Sequence, residues 1–184
     1  MRATGLVAAV LLCLAGCSDT GETSTDTGRP VSSAAEPADS TAASTVALPI
    51  IEQIDQAVAA VEAALGGPQQ YFEINATARL VNLFVSLNDG AIAQPWLYFD
   101  GTATASEGQP ATGGTFDAES MGFDPEVILA TVRSEMPELT IESFYVHGDG
   151  QGNVLYGVLA TSARGGGLDV VLGADGSIKS VDPV

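Results

Sequence analysis

The chain has 184 residues, 46% of them apolar, with 6 Lys and Arg against 23 Asp and Glu and a formal net charge of −17. That length suits one domain with a real core, or two small fused repeats. The charge excludes nucleic-acid binding and docking by charge onto anionic lipid, because beyond Arg29 the cations are Arg79, Arg133, Arg164 and Lys179, widely spaced.

Residues 1–17 read MRATGLVAAVLLCLAGC. Arg2 gives a positive start, and the apolar run from Leu6 to Leu14 is shorter than the roughly 20 residues a bilayer core takes. This is signal-peptide anatomy rather than a membrane span. Leu14-Ala15-Gly16-Cys17 resembles the lipobox of bacterial lipoproteins: a branched apolar residue, two small residues and a cysteine. The resemblance implies that residues 1–16 are removed and that Cys17 carries a diacylglycerol thioether. The lipid would hold the chain on the extracytoplasmic face of the cell membrane, and two or three acyl chains anchor stably where one is marginal. The alternative is an ordinary secretory signal with a cysteine at its end by chance. Cys13 leaves with the signal, so no thiol pair remains for a disulfide.

From Cys17 to residue 47 the chain is rich in Ser, Thr, Ala, Asp and Glu, with Pro30 and Pro37. Such a segment cannot bury enough apolar surface to fold and is expected to be a tether with a reach of roughly 30 Å. Residues 48–106 then form a first α+β repeat. Ile51, Ile54, Val58, Val61 and Leu65 recur at spacings of three and four, so a helix begins near Pro49 and stops at Gly66-Gly67-Pro68. Strands are expected over Tyr71–Ala76, Arg79–Leu87 and Gln94–Asp100, with Asn88-Asp89-Gly90 as the turn between the last two. Residues 107–123 read as a linker loop.

Residues 124–184 repeat the pattern. Asp124-Pro125-Glu126 is a helix start, with a capping carboxylate, a first-turn proline and an acid near the positive end of the helix dipole. Val127, Ile128, Val132 and Met136 are the expected buried face, and Pro137 ends the helix. Strands follow over Thr140–His147, Asn153–Ser162, Leu168–Gly173 and Ser177–Val181, with turns at Gly148-Asp149-Gly150 and Ala174-Asp175-Gly176. Laying Tyr71 on Phe144 brings Val81 onto Val154, Val85 onto Val158 and Tyr98 onto Val171. The expected fold class is α+β: two helix-plus-antiparallel-meander repeats, with the helices on one face of the sheet. From Leu48 onward the arrangement resembles PepSY-type domains and, in tandem, the architecture of the β-lactamase inhibitor protein. The stretch from Arg164-Gly165-Gly166-Gly167-Leu168 to Asp175-Gly176-Ser177-Ile178 also resembles the end of certain actinobacterial lipoproteins. PepSY-like domains are associated with binding or inhibiting peptidases, which is the function the resemblance implies. The inhibitor's disulfides have no counterpart in this sequence.

No catalytic residue is assigned. His147 is the one histidine, at a strand end beside a glycine turn, and no Gly-x-Ser-x-Gly elbow accompanies it. Asp149-Gly150-Gln151-Gly152-Asn153 has oxygens at alternate positions, as a calcium loop has, but it lacks the downstream Glu and reads as a hairpin. No zinc spacing is present, and neither metal nor cofactor is expected. Gly165-Gly166-Gly167 joins two strands rather than cradling phosphate, and Asn75-Ala76-Thr77 is strand sequence despite its glycosylation pattern. Trp96, Tyr98 and Phe99 cluster on one strand; alternation sends Trp96 and Tyr98 to one face and Phe99 to the other. They are a possible binding patch where exposed, and core where not.

The expected function is that of a membrane-anchored, non-enzymatic binding module for an envelope protein or peptide. The alternative is a carrier of lipid or another small ligand, with an apolar cavity lined by the Trp96 strand. A hydrolase using paired carboxylates is the third reading. The acidic surface serves solubility, or is tuned to a basic partner or to divalent cations.

Overall fold

A computed structural model describes residues 47–184; the readings made on residues 1–46, including Cys17, lie outside the described residues. The apolar stripe forms a 3-10 turn, Ile51–Gln53, that runs into helix α1, Ile54–Leu65. Ile51, Ile54, Ala57, Val58 and Val61 are buried. Leu65, expected on the same stripe, is 37% exposed at the last position of the helix. Gly66 then adopts a left-handed φ of 86° and donates its N–H to the Glu62 carbonyl, which closes the helix.

Strands β1 (Gln70–Thr77), β2 (Val81–Leu87), β3 (Ile92–Phe99) and β4 (Thr102–Ala105) form an antiparallel meander. Asp100 and Gly101 have φ of 48° and 75° between β3 and β4, as a two-residue type I′ hairpin requires. β4 goes beyond the sequence reading: Thr-Ala-Thr-Ala carries no large apolar residue, so its alternation leaves little signal. The expected linker is fastened to the sheet. Within it β5 (Gln109–Pro110) pairs with β3, and β6 (Phe116–Asp117) pairs with β1. Phe116 is buried there, its ring 6.1 Å from that of Tyr71.

Helix α2 spans Pro125–Glu135, and the Asp124 carboxylate accepts the N–H groups of Glu126 and Val127 at 2.9 and 3.3 Å. Its buried face is Ile128, Leu129 and Val132. Val127, expected inside, is exposed. Val127-Ile128-Leu129 offers three consecutive apolar side chains, and only contact with the sheet selects which two are covered. β7 (Leu139–Gly148), β8 (Val154–Ser162), β9 (Gly167–Leu172) and β10 (Ile178–Pro183) complete a ten-stranded sheet in the order β10-β9-β8-β7-β1-β2-β3-β4, with β5 and β6 off that path.

The two meanders meet at β1 and β7, which pair antiparallel with Ile74 opposite Val146, Asn75 opposite Tyr145 and Ala76 opposite Phe144. Each of these strands carries a bulge on its other side, between Tyr71 and Glu73 in β1 and between Ile141 and Ser143 in β7. Superposing the bulges matches Tyr71 with Ile141, Ile74 with Phe144 and Ala76 with Val146, all buried. The expected match of Tyr71 with Phe144 is therefore out of register. The turn after β1 is shorter than the turn after β7, so no single shift aligns the halves.

Both helices lie on one face of the sheet, and one core cluster joins them: Ile54 and Val61 of α1, Ile128 and Val132 of α2, and Ile74, Leu83, Phe144 and Val158 of the strands. Such a core unfolds as a unit. Phe144→Ala, in the second half, is expected to cost about 3–5 kcal/mol. Trp96, the one tryptophan, lies in the first half and should report that loss in the same urea midpoint as circular dichroism. Separate midpoints for the two probes would show that the halves melt independently.

Candidate functional site: the open face of the sheet

Among the described residues the helices cover one face of the sheet and leave the other open. Alternation places Glu73, Asn75 and Thr77 of β1 on that face, because Ile74 and Ala76 are in the core. The cross-strand register carries the assignment outward. Asn75 is opposite Asn82, which is opposite Leu97; on the other side Tyr145 is opposite Gly157, which is opposite Val171. Among large apolar residues of this face, Leu97 is 40%, Phe99 49% and Leu159 36% exposed, while Phe84, Pro95 and Leu155 are half-buried.

The aromatic cluster divides as alternation requires. Phe99 stands on the open face, whereas Trp96 and Tyr98 are 8% and 6% exposed within the core. Trp96 and Tyr98 are thus removed from the candidate patch, and the inward side of their strand belongs to the core cluster. The Trp96 indole N–H donates to the Gln94 side chain at 3.1 Å.

The most structured part of the face lies in the second half. Tyr145 has only 9% of its surface exposed although it points away from the helices. Its ring lies over Gly157, where an added Cβ would overlap the ring and the hydroxyl. The missing side chain lets Tyr145 reach across β8 and donate its O–H to Asp169 Oδ1 on β9 at 2.6 Å. Burial, then the hydrogen bond to Asp169 and the charges of Asp169 and Glu73, push the phenol well above its ordinary value of 10.0. His147 lies at the end of β7 beside the glycine turn, as expected, directly opposite Glu73 and edge-on to Tyr145 with ring centroids 5.4 Å apart. Glu142, at the β7 bulge, accepts a hydrogen bond from the Thr161 hydroxyl. Asp169 stands opposite Asp182 on the edge strand β10.

Sequence reasoning missed Tyr145, Gly157 and Asp169. The one available signal was the unbroken run Phe144-Tyr145-Val146, since a strand covered on both faces reads as continuous rather than alternating. Asp149 is occupied by its own turn: it accepts the N–H groups of Gln151 and Asn153 at 2.7 and 3.0 Å and the Asn153 side-chain amide at 2.7 Å. Those bonds, the side-chain amide first, hold its carboxyl below the usual carboxylate range. On the helix side, a groove of about 660 Å³ is lined by Asp55, Val58, Glu62, Asp117, Glu119 and Met121 among others. Its Glu62 carboxylate accepts the Gln69 N–H at 3.2 Å and the Tyr71 hydroxyl at 3.4 Å. Burial first, then Glu62, raises the Tyr71 phenol as well.

The fold is thus α+β, two helices on one face of an antiparallel sheet, with a candidate site on the other face. Comparison of the chain with protein-family models, with curated proteins and with solved structures found no significant match.

Tyr71 and Tyr145 make stability depend on alkaline pH. Below about pH 10 both phenols are neutral folded or unfolded, and their contribution is complete; above it the unfolded chain ionises first, so stability falls as pH rises. Tyr145→Phe is expected to cost about 1–2 kcal/mol at neutral pH and to flatten this alkaline loss. Gly157→Ala should cost about 1–3 kcal/mol by displacing the ring. Urea melts at pH 7 and pH 10.5 measure both; equal losses at the two pH values in Tyr145→Phe and its parent would refute the Tyr145 part.

Proposed function

We propose that this chain is a membrane-anchored extracytoplasmic lipoprotein whose PepSY-like repeats form a non-enzymatic binding module for an envelope protein or peptide. The observation that supports it best is the asymmetry of the sheet. One face is sealed by α1 and α2, and the other presents Leu97, Phe99 and Leu159 to solvent. Solvent-facing strand positions of an antiparallel sheet are ordinarily polar. Apolar groups exposed on a face that the core does not use can mark an interaction surface. The Leu14-Ala15-Gly16-Cys17 sequence supports the anchor. Among the described residues no helix is long and apolar enough to cross a membrane.

The test has two parts. Cys17→Ser should abolish incorporation of a labelled fatty acid and release the protein from washed membranes; retention of label would remove the lipid anchor from the proposal. A photo-reactive residue in place of Leu97 should cross-link a discrete partner in intact envelopes. The same group in place of the exposed Val127 on α2 should not. Identical products from both positions would count against the open face as the binding surface.

A further inference from the structure

The open face combines exposed apolar groups with an excess of negative charge. Asp169 and Asp182 occupy directly opposed positions on β9 and β10, an arrangement of like charges that costs stability. The Tyr145 hydroxyl donates to Asp169 but is neutral, so it leaves the charge in place. Glu142 and Glu73 add two more carboxylates on β7 and β1. Among the described residues the one Lys or Arg within a strand is Lys179, at the β10 bulge beside Val171. Arg79 and Arg164 lie in turns and Arg133 in α2, and the Lys179 stem packs beside Gly173 near Asp175, whose charge it partly offsets.

We infer that the open face takes a basic polypeptide segment whose apolar side chains seat on Leu97, Phe99 and Leu159 and whose Lys or Arg reaches the Asp169–Asp182 pair. The inference rests on the binding-module reading above and names the chemistry of its partner. A guanidinium or ammonium between the two carboxylates relieves a repulsion that the folded chain otherwise keeps. An acidic partner would meet like charge. A divalent cation alone would leave Leu97, Phe99 and Leu159 in water, and among the described residues no group of three or more His, Cys, Asp or Glu could hold a metal ion.

Random peptides displayed on phage and selected against the full chain in detergent test this. The selected peptides are expected to be enriched in Lys and Arg next to Leu, Val or aromatic residues. Their binding should fall about tenfold in Asp182→Asn and be lost in Leu97→Asp. Because Asp182→Asn removes the repulsion, that variant should melt above the parent, which also controls for folding. A lower melting temperature would remove the physical basis of the inference. Peptides that require Leu97 but carry no excess of Lys or Arg, and bind Asp182→Asn unchanged, would overturn the basic partner and leave the binding face standing. Peptides indifferent to both Leu97→Asp and Leu159→Asp would overturn both. A concentration-dependent dimer in sedimentation, abolished by Leu97→Asp, would assign the face to a second copy and overturn the inference.

Discussion

The pairing of β1 with β7 is the constraint on which the molecule depends. Each half offers one helix and four strands of the main sheet order, and one core cluster runs through both. Joined at this pair, Ile74, Ala76, Phe144 and Val146 form a central apolar strip that both helices cover. The backbone bonds of the pair also set the register of everything outward. A slip of β7 by one residue would move Phe144 and Val146 to the open face and bring Tyr145 and His147 into the core. The penalty on both sides of such a slip makes the joint specific.

The joint also explains the division of labour between faces. Once the helices occupy one side, every second residue is committed to the other, and what stands there is free of the demands of the main core. In the first half that freedom is used for Phe84, Pro95, Leu97 and Phe99. In the second it is used for the Tyr145–Asp169 contact and its neighbours. Gly157 makes the contact possible by leaving a slot in β8; any side chain there would lift the ring from the sheet. Tyr145 is consequently held in one place, although it belongs to no hydrophobic cluster.

The α+β class and the doubled helix-meander pattern were legible because they rest on local rules. The three-and-four spacing of Ile51, Ile54, Val58 and Val61, the cap at Asp124 and the Asn88-Asp89-Gly90 turn each carry their signal within a few residues. What escaped depends on contacts distant in sequence. Val127 and Leu129 are equally apolar, and only the sheet beneath α2 distinguishes them. The repeat register was misread because turns of different length follow β1 and β7, while the bulges that fix the equivalence have no sequence mark. Trp96 and Tyr98 were correctly placed on the face opposite Phe99, but which face is core depends on where the helices lie. Asp169 and Tyr145 are 24 residues apart, and nothing local announces their bond.

The bulges place Asn75 and Tyr145 at equivalent positions of the two halves, and these residues face one another across the joint. A strand that pairs antiparallel with its own counterpart is the geometry of an isologous interface, in which a local two-fold axis passes through the pair. Two separate copies of one half could build the same sheet by associating through this strand. Within this one chain the linker holds the second half at a high effective concentration beside the first. One chain permits what no homodimer does: positions related by the axis can differ. Asparagine stands on one side and tyrosine on the other, so the symmetric joint carries a face with a direction.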